Sequence, residues 1–217
     1  GEKWCRDGAE NLVKATLLEK LVCMCAMKFA ALDAWGCGIE MEGGRPGWYD
    51  ALNGLPALFG SSVTEAMELL RHLRFLKVSL RRYGGKVSLP GPHYMLLMRL
   101  KQSVEDIPEY TGNTVLVDFW NSSKSALEHC REEVYTQGAW DYADCQAEQL
   151  AEMLDTWANF LGQRLADQTG DKKNARANGT DEKCDGKHNA DIEPCLFWMI
   201  LIYFVHGNSS FVFCFVC

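Results

Sequence analysis

Ser62-Val63-Thr64-Glu65-Ala66-Met67-Glu68-Leu69-Leu70-Arg71-His72-Leu73-Arg74-Phe75-Leu76 is the stretch that decides the fold class. Ser62 with Glu65 three residues on is a capping signature, in which the hydroxyl takes an orphan N–H of the first turn. Val63, Met67, Leu70, Leu73 and Leu76 then recur at the three-and-four spacing of one helix face until Gly84-Gly85 stops the run. The same periodicity holds on either side. From Asn11 to about Trp35, the apolar residues Leu12, Val13, Leu17, Leu18, Leu21, Val22, Cys25 and Phe29 alternate with Lys14, Glu19, Lys20 and Lys28, which predicts a helix with a broad buried face. Pro90 or Pro92 opens a third helix through Met95, Leu96 and Leu100, because proline costs nothing in a first turn whose N–H groups have no partner. A fourth helix is predicted from about Asn121 to Tyr135, ahead of Gly138. A fifth runs from about Ala143 to Ala166, with Leu150, Met153, Leu154, Trp157, Leu161 and Leu165 on one side. No stretch alternates strongly enough to predict a sheet, so the expected class is all-α.

The helical pattern defines a domain over residues 1–168. A linker follows over 169–192, rich in Asp, Lys, Asn and Gly and nearly free of apolar side chains; it cannot offset its own ordering entropy and is expected to be disordered. Residues 193–217 form an apolar tail that carries no Asp, Glu, Lys or Arg from Cys195 to Cys217. Its longest apolar run, Cys195 to Val205, is about eleven residues where a membrane-spanning helix needs roughly twenty. The tail therefore reads as a non-native or aggregation-prone terminus, with membrane association and packing on a missing partner as the alternatives.

The chain has 217 residues, 47% hydrophobic and 24% charged, with a net charge of −7. That acidity speaks against a nucleic-acid or anionic-membrane partner, since binding phosphates requires a positive surface. A neutral sugar is compatible. Ten cysteines are scattered along the chain, and Cys23 and Cys25, two apart on a helix, point to different faces. They read as small buried apolar residues in a reducing compartment, and with no secretion signal at the given N-terminus a cytoplasmic setting is expected.

The chemistry-bearing segment lies between the first two helices, a glycine-rich run from Gly36 to Gly60 with no sustained periodicity. It carries Glu40, Glu42, Arg45, Trp48, Tyr49, Asp50 and Asn53. Aromatic faces stack on the C–H face of a pyranose, while carboxylate, guanidinium and amide groups take its hydroxyls. Breaking a glycosidic bond also needs a carboxylic acid that protonates the departing oxygen, and Asp50 next to Trp48 and Tyr49 is the candidate for that role. The plain alternatives are that Asp50 is a turn or capping residue, that Glu40, Glu42 and Arg45 pair with one another at the surface, and that Asn53-Gly54 is only a turn.

The run Gly44-Arg45-Pro46-Gly47-Trp48-Tyr49-Asp50-Ala51-Leu52-Asn53-Gly54-Leu55-Pro56-Ala57-Leu58-Phe59-Gly60-Ser61 resembles the signature of large proteins related to cellobiose phosphorylase and to the phosphorylase-like part of cyclic glucan synthases. The resemblance continues more weakly through the helices to about Ala166. It implies a barrel of six helical hairpins, an (α/α)6 fold, of which this chain would hold an incomplete part. It also implies Asp50 as general acid, aligned with the Asp of the family's Trp-Asn-Asp-Gly segment, and no cofactor other than inorganic phosphate as co-substrate in the phosphorylase members. Tyr49 stands where the family has Asn, and Ala57 where it has Gly. At roughly 33 residues per helix a closed ring needs on the order of 400 residues, so the remainder of a longer chain is an implied partner.

Two other function classes remain beside a glycoside-cleaving enzyme: a non-catalytic sugar-binding or helical interaction module, and a truncated relic. Cys184, His188, Cys214 and Cys217 include a Cys-x-x-Cys pair but sit in the linker and the apolar tail, so no metal site is expected. His72 is expected to pack rather than to act as a base.

Overall fold

The computed structural model describes residues 14–40, 60–107, 115–137 and 141–169. Helix α1 (Leu17–Ala30) begins where Thr16 and Glu19 satisfy each other's backbone: the Thr16 hydroxyl accepts from the Glu19 N–H (3.2 Å) and the Glu19 carboxylate accepts from the Thr16 N–H (2.8 Å). The helix is shorter at both ends than its apolar pattern predicts. At its C-terminal side the chain turns through Ala31 to Gly38 into β1 (Ile39–Glu40), which pairs antiparallel with β2 (Ser61–Ser62).

Helix α2 (Val63–Tyr83) starts at the predicted cap, with the Ser62 hydroxyl accepting from the Glu65 N–H (3.2 Å). Only that half of the box is made. The Glu65 carboxylate reaches instead to Lys28 of α1 (2.6 Å), which trades a local contact for one between helices. Gly84, at φ 62, takes the left-handed turn that ends α2. β3 (Lys86–Pro90) leads into α3 (Gly91–Glu105), with Pro90 at the cap position and Pro92 in the first turn. After α4 (Val117–Gln137), β4 (Tyr142–Gln146) runs straight into α5 (Ala147–Thr169).

Among the described residues the fold is thus mainly α, with two small two-stranded sheets that the sequence did not lead one to expect. In the larger, Lys86 pairs with Gln146 and Pro90 with Tyr142. Its signal is present: in Lys86-Val87-Ser88-Leu89 the two apolar residues alternate with polar ones, and both are buried. β4 was hidden because Ala143 to Gln146 reads without a break into the apolar spacing of α5. Hydrogen bonds from Ala147 N–H to Gly85 O (2.9 Å) and from Gly91 N–H to Asp141 O (2.7 Å) extend the ladder at its two ends.

Helices α2 and α5 pack antiparallel, fastened by Lys77–Asp155 (2.9 Å) and Arg81–Glu148 (3.1 Å). Helices α3 and α4 form the second pair, with the Ser122 hydroxyl donating to that of Ser103 (2.8 Å). α1 contacts α2, α3 and α4. At the centre the Phe29 ring stacks on Trp157 (centroids 4.5 Å apart) and meets Phe119 and Phe160 edge-on at 6.1 and 5.9 Å. On α5 the predicted face is the buried one. On α2 the face is rotated from that expected: Ala66, Leu69, Leu73, Leu76 and Leu80 are buried while Val63 and Met67 are exposed. Small Ala66 belongs to the contact side, and the two large residues of the first turns project outside it.

Cys23, Cys25, Cys37 and Cys130 are buried and Cys145 is half-buried; the other cysteines lie outside the described residues. Burial pushes the Cys25 thiol up to about 12, which keeps it protonated and unreactive. No helix among the described residues is long and apolar enough to cross a membrane. The linker from 170 onward and the tail lie outside the described residues.

Candidate functional site

Glu42, Arg45, Trp48, Tyr49, Asp50 and Asn53 lie outside the described residues, and Glu40 lies within them. The described residues do give the frame on which that segment is mounted. Glu40 pairs with Ser61 in the β1–β2 ladder, so the chain on either side of that segment, at Glu40 and at Ser61, is held in one place.

The frame is built around Asp33, whose carboxylate is buried. One of its oxygens accepts from the Trp35 and Cys37 N–H groups (3.1 Å each), and the other accepts from the Ser61 hydroxyl (2.6 Å). The first two bonds wrap the backbone round the side chain, as Asp does at turns; the third ties that turn to β2. Asp33 N–H donates to Gly38 O (2.8 Å), Gly36 N–H to Asp33 O (2.8 Å) and Glu40 N–H to Ala31 O (2.9 Å), so the turn is closed within itself. Gly36 has φ +66, and a Cβ there would come within 2.9 Å of Phe160 Cζ. Two further bonds fasten the turn to distant helices. The Leu116 N–H, just before α4, donates to Ala34 O (2.7 Å), and Arg164 Nε on α5 donates to Trp35 O (2.6 Å). Burial, reinforced by the Asp33 charge and opposed by Arg164, raises the Cys37 thiol above its ordinary range.

Glu40 stands at the end of this frame. One carboxylate oxygen accepts from the Trp120 indole N–H (2.8 Å) and the other pairs with the Lys124 ammonium (2.7 Å). Trp120 and Lys124 are one turn apart on α4 and so present the same side. The Glu40 and Lys124 side chains remain 36% and 23% exposed. Glu40 is therefore an oriented, partly accessible carboxylate whose partners come from α4.

Sequence reasoning missed Asp33, Ser61, Trp120, Lys124 and Arg164. Asp33 had a local signal, an Asp three residues before Gly36. The others are brought in from far along the chain, and no local pattern encodes such meetings. His72 is half-buried on α2, and desolvation lowers its pKa, in keeping with a packing residue. Among the described residues no group of His, Cys, Asp and Glu is placed to hold a metal ion; Cys184, His188, Cys214 and Cys217 lie outside them.

These features define a mainly α-helical domain carrying a braced turn and ladder at the base of a glycine-rich segment. No protein family model, no curated protein and no solved structure matches the chain.

Proposed function

We propose that the chain is part of a carbohydrate-active enzyme that cleaves glycosidic bonds of gluco-oligosaccharides, with Asp50 as the general acid. The observation that carries the reading is the Gly44 to Ser61 run, in which an acid, two aromatics, an Arg and an Asn share one segment and resemble the acid-bearing segment of the phosphorylase relatives. Two features support it. The segment starts and ends on a ladder braced to α4 and α5, and holding reacting groups in place is what such chemistry demands of a scaffold. Glu40, one of the expected sugar ligands, is held by both of its oxygens and is still accessible.

On this reading Trp48 and Tyr49 stack on the sugar and lift the Asp50 pKa, so that the carboxyl is protonated when it meets the glycosidic oxygen. Glu40, Glu42, Arg45 and Asn53 bind hydroxyls. The nucleophile is inorganic phosphate in a phosphorylase or water in a hydrolase. An inverting hydrolase places a second carboxylate roughly 6.5 to 9.5 Å from the acid, whereas a phosphorylase places cations or N–H groups around the phosphate. The (α/α)6 barrel is part of the same proposal. The α3–α4 pair joins consecutive helices as a ring of hairpins does, while α2 closes on α5, so within the described residues the helices nest.

The deciding assay is phosphate-dependent release of a sugar 1-phosphate from cellobiose and longer gluco-oligosaccharides. Asp50→Asn is expected to abolish it, by a factor of about 100 or more if the acid step limits the rate. Activity unchanged by Asp50→Asn would remove the assignment of the acid, and saturable sugar binding without turnover would leave a non-catalytic binding module.

A further inference from the structure

We infer that Glu40, Lys124 and Trp120 form a sugar-hydroxyl subsite at a half-buried position beside α4, its ligand a neutral pyranose unit that offers two neighbouring hydroxyls. This rests on the carbohydrate reading and adds to it two α4 residues far along the chain from the Gly44 to Ser61 run. An ionised carboxylate has about four acceptor positions, and Glu40 uses one on each oxygen, for the Trp120 indole (2.8 Å) and for Lys124 (2.7 Å). The Lys124 ammonium has three donors, one of them spent on Glu40. Free acceptor positions and free donors therefore lie side by side, at side chains 36% and 23% exposed.

A sugar hydroxyl is donor and acceptor at once, so one member of a neighbouring pair can donate to Glu40 while the other accepts from Lys124. Both bonds are charge-assisted and stronger than neutral ones. The geometry is set before the ligand arrives. Glu40 is fixed by its ladder and by its N–H bond to Ala31 O (2.9 Å), while Trp120 and Lys124 stand on consecutive turns of a long helix. Little ordering entropy remains to oppose binding. The pair as a whole is uncharged, which favours a neutral ligand over a phosphate or a nucleotide. As a bare tie between β1 and α4, a partly exposed ion pair contributes little to stability. Affinity and stability therefore separate the two roles.

The test uses the whole chain, with cellobiose as the probe and the indole N–H resonances followed by ¹H–¹⁵N NMR, the Trp120 signal being assigned by its loss in Trp120→Phe. Cellobiose is expected to move that resonance saturably. Lys124→Met is expected to raise Kd about tenfold with the melting temperature nearly unchanged, and Lys124→Arg to recover most of the affinity. Saturable cellobiose binding with a still Trp120 resonance and an unchanged Kd in Lys124→Met overturns the subsite and leaves the carbohydrate reading standing. A lower melting temperature with unchanged Kd marks a structural tie and overturns it equally. Inorganic phosphate that moves the Trp120 resonance and displaces cellobiose overturns the neutral-ligand assignment. If neither cellobiose nor cellotriose moves any resonance of the unaltered chain, the carbohydrate reading fails and the subsite with it.

Discussion

His93 is 1% exposed in the first turn of α3, next to the end of the β3–β4 ladder, and burial lowers its pKa to about 4 from the ordinary 6.5. The consequence is a pH dependence of definite sign. Well above pH 6.5 the imidazole is neutral in both folded and unfolded chains and contributes no slope. As pH falls from 6.5 towards 4, the unfolded chain takes up a proton that the folded chain refuses, so folding loses stability. The loss amounts to about 3 kcal/mol by pH 4. Urea denaturation at pH 7.0, 5.5 and 4.5 should show His93→Gln less stable than the unaltered chain at pH 7 but less sensitive to acid. The measured quantity is the difference in acid-induced fall between the two chains, which separates His93 from the carboxylates common to both. Equal falls would mean that another group carries the acid response. Nothing in Pro92-His93-Tyr94 distinguishes a buried from an exposed imidazole, because burial here follows from the packing of α3 on α4 and α1.

At the scale of elements, the braced turn and the β1–β2 ladder depend on the absence of a side chain at Gly38. A Cβ there would come within 2.8 Å of the Asp33 carboxylate and still closer to the Ser61 hydroxyl, the two groups whose hydrogen bond joins the turn to β2. Gly38→Ala should cost about 2 to 3 kcal/mol, from overpacking together with loss of a bond to a buried charge. Hydrogen exchange should accelerate at the Cys37 and Glu40 amides before it does so in α5; unchanged exchange there would show that the turn absorbs the methyl group. How legible these elements were in the sequence differs case by case. The buried face of α5 was read correctly because six large apolar residues on one side leave no second register, whereas its expected first residues, Ala143 to Gln146, belong to β4. α2 was read correctly in its cap, its stop and in Leu73 and Leu76, but its face was misread in the first turns, because Val63, Met67 and Leu70 satisfy helical spacing as well as Ala66, Leu69 and Leu80 do, and only the partner helix chooses between them. The Thr16–Glu19 box was present in the sequence, yet the apolar Leu12 and Val13 ahead of it extended the expected helix past its true start. Of the candidate site, the sequence supplied Glu40 and the residues from Glu42 to Asn53. The partners of Glu40 were beyond it, since Trp120 lies 80 residues away and nothing local encodes that meeting.

At the scale of the molecule, the two helix pairs are coupled both at one end and in the interior. The β3–β4 ladder joins them at one end, since β3 connects α2 to α3 and β4 lies between α4 and α5. In the interior the coupling runs through α1, where Phe29 stacks on Trp157 of α5 and meets Phe119 of α4, and directly between the pairs, where the Phe119 ring lies 5.1 Å from that of Phe160 on α5. Phe29 is fully buried, and removing its ring leaves a cavity bordered by both pairs, at a cost of about 3 to 5 kcal/mol. If the core is one cooperative unit, that cost is shared. In Phe29→Ala the slowest-exchanging amides of α3 and α4 should then lose as much opening free energy as those of α2 and α5, and circular dichroism and near-ultraviolet signals should still report one coincident urea transition. If the ladder were the dominant link, the loss would concentrate in α5, whose Trp157 makes the stacked contact, and α3 with α4 would keep their protection. Unequal loss would therefore show that the pairs open separately, and that the turn bonded to Leu116 and Arg164 spans a boundary along which the molecule can part.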